Sequence, residues 1–130
     1  MHKGFLTTAA LIGALSVVFG AFGAHALKAI VNEQALATYE TAVRYQFYHV
    51  FALALTGVLY KTYPNTLIIS AGRFFIGGII LFCGSLYLLT YGASVGTSFH
   101  WAGPITPVGG VFFILGWVWL ALGVRKGVSS

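Results

Sequence analysis

The sequence predicts an all-α integral membrane protein whose four transmembrane helices form a bundle. Hydrophobic residues make up 58% of the 130 residues and charged residues only 7%, whereas about a quarter of the residues of a soluble domain are charged. In addition, four apolar stretches each approach the roughly 20 residues that a helix needs to cross the hydrocarbon core. We therefore expect a single membrane domain over residues 1–130.

The predicted transmembrane spans are residues 4–26, 40–60, 72–91 and 104–124. The second span is the shortest, and it is long enough only if it begins near Tyr39, which places Glu40 and Arg44 at the membrane interface. The segment 27–38 is too polar for the hydrocarbon core but keeps apolar residues near helical spacing. We expect it to form a short amphipathic interfacial helix.

The first span has some features of a secretory signal peptide. Lys3 precedes an apolar run, and Ala24-His25-Ala26 has the small-x-small pattern of a cleavage site. The apolar run is longer than a usual signal core, however, and three more spans follow it. We therefore expect the first span to be retained.

The positive charges predict the orientation. With four spans, both termini and the second loop share one side, whose basic residues are Lys3, Lys61, Arg73, Arg125 and Lys126, while the other side carries Lys28 and Arg44. The richer side should be cytoplasmic, which places both termini in the cytoplasm and the protein in the inner (plasma) membrane. Arg73 opens the third span and should extend its guanidinium to the headgroups. The net charge of +5 is scattered, which argues against nucleic-acid binding.

Small residues predict the packing faces, because helices in lipid associate where their backbones can approach closely. In the first span Ser16, Gly20 and Ala24 are spaced four residues apart, and in the third span Gly77 and Gly84 are seven apart. Such faces can pack helices within one chain or between chains. The bilayer, a homo-oligomer and a larger membrane complex are therefore the partners that we consider.

Polar side chains cluster on half of the second span and at the outer end of the first. The candidate ligand-binding residues from these spans are His25, Glu40, Arg44, Tyr45, Tyr48 and His49. Glu40 and Arg44 can pair along the helix because they are four residues apart. Gln46 breaks the polar pattern, which the membrane tolerates if Gln46 lies near the interface.

This cluster has a structural and a functional interpretation. Hydrogen bonds and charge pairs can simply hold the outer helix ends together, or the cluster can bind a small molecule, a lipid headgroup or an ion. A metal or haem site on His25 and His49 is chemically feasible. No cysteine pair and no second carboxylate within the spans supports it, so no cofactor is predicted.

Four blocks of residues carry a resemblance to a known family. In order they are Gly20-Ala21-Phe22-Gly23-Ala24-His25, Tyr45-Gln46 with His49, Gly84-Ser85-Leu86-Tyr87, and Thr106-Pro107-Val108-Gly109-Gly110 with Gly116-Trp117. Together they resemble the domain of unknown function 423, a family of small membrane proteins of the UPF0382 type. The resemblance implies a multi-pass inner-membrane protein and brings no activity with it. It adds Ser85 and Tyr87 to the candidate ligand-binding residues.

Two function classes remain, of which we favour the first. It is a non-enzymatic structural or accessory membrane component, which the small-residue faces would allow to be oligomeric. The alternative is binding or translocation of a small ligand, such as a lipid headgroup, solute, metal or haem, at the outer polar cluster between the first two helices. An intramembrane enzyme ranks third, because the sequence offers no recognisable nucleophile and base pair and only two carboxylates.

Overall fold

The computed structural model describes residues 1–128, and these residues form helices joined by short turns, without strands. The five α-helices are α1 (Lys3–Ala24), α2 (Glu33–Thr62), α3 (Thr66–Gly78), α4 (Gly84–Val95) and α5 (Ile105–Lys126). A π-helical segment, Ile79–Cys83, joins α3 to α4, so that these two helices form one long rod. The predicted all-α class is confirmed. The last two residues of the predicted domain lie outside the described residues.

The helices run antiparallel, and α2 lies in the middle. α1 packs along α2, and α5 packs along α3 and the π-helical segment, while α2 also contacts α3 and α4. The backbone N–H of His2, before α1, donates to the carbonyl of Gly57 near the end of α2 at 2.9 Å. The start of α1 therefore lies beside the end of α2.

Three helical stretches are long and apolar enough to cross a membrane: Lys3–Ala29, Thr66–Val95 and His100–Lys126. Each contains an 18-residue segment with a mean hydropathy of 2.0. Among the described residues, α2 does not reach the same apolarity. Its polar side chains include Gln46, His49 and Thr56, all of which are buried. A helix whose polar groups face other helices does not need an apolar surface all round, and this explains its composition.

Residues 27–38 do not form the single interfacial helix that the sequence predicted. Leu27–Ala29 is a short 3-10 turn, and Glu33 already begins α2. Asn32 divides them because its extended backbone stops the turn, and its side chain caps α2 by accepting a hydrogen bond from the Ala35 N–H at 2.8 Å. The predicted interfacial residues after Asn32 are therefore the first turns of a 30-residue helix.

Glycines of α5 allow it to approach the rod formed by α3, the π-helical segment and α4 closely. Three of them, spaced seven residues apart, each receive a side chain of the rod: Phe82 at Gly109, Phe75 at Gly116 and Ile68 at Gly123. A Cβ atom at Gly116 would lie 2.6 Å from the Phe75 ring, closer than real Cβ contacts come. At Gly109 a Cβ would overlap the backbone of Phe82. These positions therefore require glycine for the observed helix spacing.

The predicted packing residues have different outcomes. Ser16 is fully buried, and Gly77 leaves room for Phe112, because a Cβ at Gly77 would lie 2.7 Å from that ring. Gly20 makes only an ordinary contact, since a Cβ there would lie 3.7 Å from the Val43 side chain. Close packing is therefore found at Ser16 and Gly77.

Gly84 does not pack as predicted within this chain. It is exposed, and a Cβ there would meet no atom within 4 Å. The π-helical segment between Gly77 and Gly84 is the physical reason, because its wider turns rotate the following residues relative to a regular helix. Ala24 is also exposed. The seven-residue spacing of the two glycines thus does not place them on one face.

Asn65 joins two helices at one end of the protein. Its side-chain oxygen accepts hydrogen bonds from the N–H groups of Leu67 and Ile68, at 3.1 and 3.2 Å, and so caps α3. Its amide nitrogen donates to the carbonyls of Gly123 and Gly127 at the end of α5, at 2.9 and 2.7 Å. A buried asparagine therefore joins the start of α3 to the end of α5.

This end also carries most of the positive charge, and we call it the basic end. It comprises the starts of α1 and α3 and the ends of α2 and α5, with Lys3, Lys61, Arg73, Arg125 and Lys126. The opposite end carries Lys28 and Arg44 together with both carboxylates of the chain, Glu33 and Glu40. The net positive charge of the described side chains is therefore concentrated at one end.

Candidate functional site

The candidate residues from the first two spans do not form one cluster. Glu40 and Arg44 line a groove of about 260 Å³ between α1 and α2, together with Gly20, Gly23, Ala24, Tyr39 and Val43. Both charged residues are exposed, near the start of α2. His49 does not line this groove; it lies ten residues beyond Tyr39 and five beyond Arg44, about 15 and 7.5 Å further along the helix.

His25 ends α1 and is exposed. Its Nδ1 lies 2.9 Å from the carbonyl oxygen of Ala21, four residues earlier in the same helix. A carbonyl only accepts, so Nδ1 carries the proton of this bond. His25 therefore binds its own helix end and does not share a site with His49.

Gln46 is a buried polar residue of the interior, at 2% exposure. Its amide nitrogen donates to the Ser16 hydroxyl at 2.7 Å, and its amide oxygen accepts from the Tyr87 hydroxyl at 2.6 Å. Ser16 in turn donates to the carbonyl of Ile12 at 2.8 Å. We call Ser16, Gln46 and Tyr87 the polar node. It joins α1, α2 and α4 through side-chain hydrogen bonds.

Sequence reasoning missed the role of Gln46. It treated Gln46 as a break in the polar pattern that is tolerated if the residue lies near the interface, and it assigned Ser16 only a small-residue packing role. Tyr87 was among the candidate residues. A glutamine amide offers both donors and acceptors. A signal was available in the sequence, because an uncharged side chain of this kind inside a span needs partners on neighbouring helices.

Aromatic rings pack beside the polar node, on the side that faces the end of the protein with Glu40. The Tyr39 hydroxyl donates to the carbonyl of Phe19 in α1 at 2.6 Å. The Tyr87 ring lies between those of Phe19 and Tyr39, with centroid distances of 5.0 and 5.4 Å. Gly23 makes room for Tyr39, since a Cβ there would lie 2.6 Å from its ring. These rings cover the polar node on that side.

Both ring nitrogens of His49 are engaged. Nδ1 lies 2.7 Å from the carbonyl oxygen of Tyr45, so Nδ1 carries the proton, and Nε2 accepts from the Trp117 indole N–H at 3.2 Å. The ring also stacks on Phe113 with 3.5 Å between centroids and an angle of 7°. His49 is thus a neutral imidazole that joins α2 to α5, and its Nε2 lone pair is occupied.

The remaining candidate, Ser85, joins α4 to the start of α5. Its hydroxyl lies 2.9 Å from the carbonyl of Phe82 and 2.5 Å from the hydroxyl of Thr106. Within residues 1–128, no group of three or more His, Cys, Asp or Glu side chains is placed to hold a metal ion. The eight candidate ligand residues therefore do not form a single site: His25, Ser85 and Tyr87 each lie apart, and Glu40 and Arg44 share a groove.

A groove beside His49 brings three of the candidate residues together. This aromatic groove has a volume of about 550 Å³ and is lined by Tyr45, Tyr48, His49, Phe82, Gly110, Phe113, Ile114 and Trp117. It opens sideways between α2 and α5, where Tyr48 is 52% and Ile114 63% exposed. Its walls are almost entirely apolar or aromatic, as in sites for small apolar molecules. The lining residues from α5 were not predicted.

The comparisons with known proteins identify the family. The family described as "Protein of unknown function (DUF423)" matches residues 19–110. The chain belongs to this family. A UPF0382 membrane protein of Staphylococcus aureus (strain bovine RF122 / ET3-1) is 40% identical over 124 residues, which cover 95% of this chain and 97% of the relative. The predicted resemblance is confirmed.

Two further relatives extend this membership to other bacteria. A UPF0382 membrane protein of Haemophilus influenzae is 39% identical over 132 residues, covering 99% of each chain. The UPF0382 membrane protein YwdK of Bacillus subtilis is 34% identical over 125 residues, covering 95% of this chain and 98% of the relative. No solved structure matches the chain. This DUF423 chain is therefore a membrane protein, and its family brings no biochemical activity with it.

Proposed function

We propose that this DUF423 protein is a non-enzymatic structural or accessory component of the plasma membrane, built as a bundle of four transmembrane helices. The polar node carries the proposal. The Gln46 amide nitrogen donates to Ser16 and its amide oxygen accepts from Tyr87, and these bonds join three helices. The polar node contains no general base, because the Ser16 hydroxyl donates to a backbone carbonyl and the Gln46 amide does not titrate.

The position of α2 supports a fourth membrane span. α1 ends at the end opposite to the one where α3 begins, and α2 alone connects them. If α1 and the α3–α4 rod cross the bilayer, α2 must cross it as well. Its 30 residues correspond to about 45 Å of helix, and the hydrocarbon core is about 30 Å thick.

The charge distribution supports cytoplasmic termini. The basic end carries five of the seven Lys and Arg residues and contains the start of α1 and the end of α5. Loops rich in Lys and Arg stay on the cytoplasmic side. A reporter fused after the C-terminus should therefore lie in the cytoplasm. Another reporter, inserted at Gly96 between α4 and α5, should lie on the opposite side of the membrane. The same side for both would contradict four spans.

His49 and His25 offer a matched test of the structural role. His49→Ala removes the bonds to Tyr45 and Trp117, so it should lower the unfolding midpoint in mild detergent, whereas His25→Ala, at an exposed helix end, should leave it unchanged. The purified protein should be colourless and free of stoichiometric metal. A Soret band or a bound metal that either substitution removes would overturn the non-enzymatic proposal and favour a cofactor site.

A second candidate function is the binding of a small apolar molecule taken from the bilayer. The aromatic groove favours it, because its volume of about 550 Å³ falls within the size of known ligand sites, and it opens sideways towards lipid. We therefore place the ligand in the aromatic groove and not at the outer end of α1 and α2, where the candidate residues do not converge.

Gly110 provides a clean test of the aromatic groove. A Cβ at Gly110 would come no closer than 3.9 Å to its nearest neighbour, Phe82, so Gly110→Phe should fill the groove without displacing the helices. Co-purified small molecules can be extracted and compared by mass spectrometry from wild type, Gly110→Phe and the open control Gly84→Phe. Binding at the groove predicts a molecule that only Gly110→Phe loses, and its retention by that variant would exclude the groove.

A further inference from the structure

Arg73 lies at the basic end, where the protein offers it no carboxylate side chain. The chain has two acidic residues, Glu33 and Glu40, and both lie in the first third of α2. From Glu40 to the end of α2 is about 33 Å of helix, and Arg73 lies only about 10 Å back along the antiparallel α3, so roughly 20 Å along the helix axes separates Arg73 from Glu40. The exposed guanidinium of Arg73 therefore has no acidic side chain to neutralise it.

The helix geometry places Arg73 at the edge of the hydrocarbon core. The Thr66–Val95 rod has 30 residues, about 45 Å, so it exceeds a hydrocarbon core of about 30 Å by roughly 7 Å at each end. Arg73 follows Thr66 by about 10 Å of helix. Its Cα thus lies just inside the hydrocarbon boundary, and its long side chain reaches the level of lipid phosphates.

A cleft of about 230 Å³ lies beside Arg73, lined by Ser70, Arg73, Phe74 and Phe112. Ser70 and Arg73 are three residues apart in α3 and so share one side of the helix. The Phe74 and Phe112 rings meet edge to face, with 5.8 Å between centroids and an angle of 87°. The cleft therefore combines a cation and a hydroxyl with an aromatic wall between α3 and α5.

We propose that this cleft binds the phosphate of an anionic phospholipid from the leaflet at the basic end. Arg73 supplies the charge and a fork of N–H donors, and Ser70 supplies a hydroxyl donor. The first part of an acyl chain lies along Phe74 and Phe112. Basic clefts between helices on the cytoplasmic side suit anionic headgroups. The proposal rests on the membrane topology proposed above.

Native mass spectrometry can test the cleft with full-length protein equilibrated in an equimolar mixture of phosphatidylglycerol and phosphatidylcholine. Wild type should retain phosphatidylglycerol preferentially. Arg73→Gln should lower that preference about tenfold, since it removes a charge-assisted contact. Arg125→Gln removes the same charge from the same end and should change the preference by less than about twofold.

If Arg73→Gln and Arg125→Gln lowered the preference for phosphatidylglycerol equally, only general charge attraction would be at work, and the proposal would be overturned. An unchanged preference in Arg73→Gln would overturn it as well. Ser70→Leu keeps the charge but fills the cleft, so it should also lose the lipid, and retention would contradict the site. Displacement of the lipid by excess inorganic phosphate would assign the site to a free anion. The two fused reporters described above test topology separately, so failure of the topology and failure of the lipid site give different results.

Discussion

The side chain of Gln46 donates to the Ser16 hydroxyl at 2.7 Å across the contact between α1 and α2. Ser16 has no exposed surface, and Gln46 is 2% exposed. Side-chain hydrogen bonds between membrane helices are worth about 0.6 kcal/mol on average and up to about 1.7 kcal/mol. The bond therefore fixes the register of the two helices more than it adds to their stability.

Tyr87→Phe removes only the hydroxyl that donates to Gln46. The ring and its contacts with Phe19 and Tyr39 remain, so we expect a loss of about 1 kcal/mol in unfolding free energy, from one hydrogen bond and an acceptor left unpaired. Denaturant unfolding in mixed micelles measures it. The control is Tyr91→Phe, on an exposed residue of the same helix. Equal effects at the two positions would argue against the hydrogen bond.

Gly109→Ala should be among the most damaging small substitutions in the chain. The added methyl overlaps the Phe82 backbone, which cannot turn aside as a side chain can, so α5 must move away from the rod at a cost of about 1–3 kcal/mol. Gly84→Ala adds the same methyl into open space. It should be neutral or slightly stabilising, because alanine favours helix. Thermal unfolding of both variants in the same detergent compares them, and a tolerated Gly109→Ala would contradict the observed helix spacing.

Asn65→Ala should destabilise the basic end. It removes two capping hydrogen bonds from α3 and two hydrogen bonds to the last turns of α5, so we expect a loss of about 2 kcal/mol, the upper end of the range for caps. Asn32→Ala removes a single cap bond from α2 and serves as the control. Limited proteolysis near Arg125 should speed up in Asn65→Ala and stay unchanged in Asn32→Ala. The opposite order would contradict the joining role of Asn65.

Three of the helical stretches could be predicted from the sequence because their apolar runs are long. The predicted span 4–26 and the observed α1, Lys3–Ala24, differ by only one or two residues at each end. The start of α2 was missed because Asn32 acts through a local cap, which hydropathy does not detect. The π-helical segment Ile79–Cys83 was missed because its sequence is as apolar as the helices beside it.

The candidate site was harder to predict because contacts between distant residues decide it. Helical periodicity assigned His49 to a polar face of the second span, but its partner Trp117 is 68 residues away. The predicted topology brought His25, at the outer end of the first span, to the same cluster as His49, although about 15 Å of helix separates Tyr39, near the end of α1, from His49. Which polar residues meet depends on how the helices pack, and the periodicity of a single span does not contain that information.

The central claim is that interior polar groups hold the helices together, and Gln46→Leu tests it most directly. Leucine keeps the approximate size but leaves Ser16 and Tyr87 without their partner, so the unfolding free energy in mixed micelles should fall by about 1–3 kcal/mol. Gln34→Leu makes the same change at an exposed position of the same helix and should have little effect. A Gln46→Leu protein as stable as wild type would contradict the account.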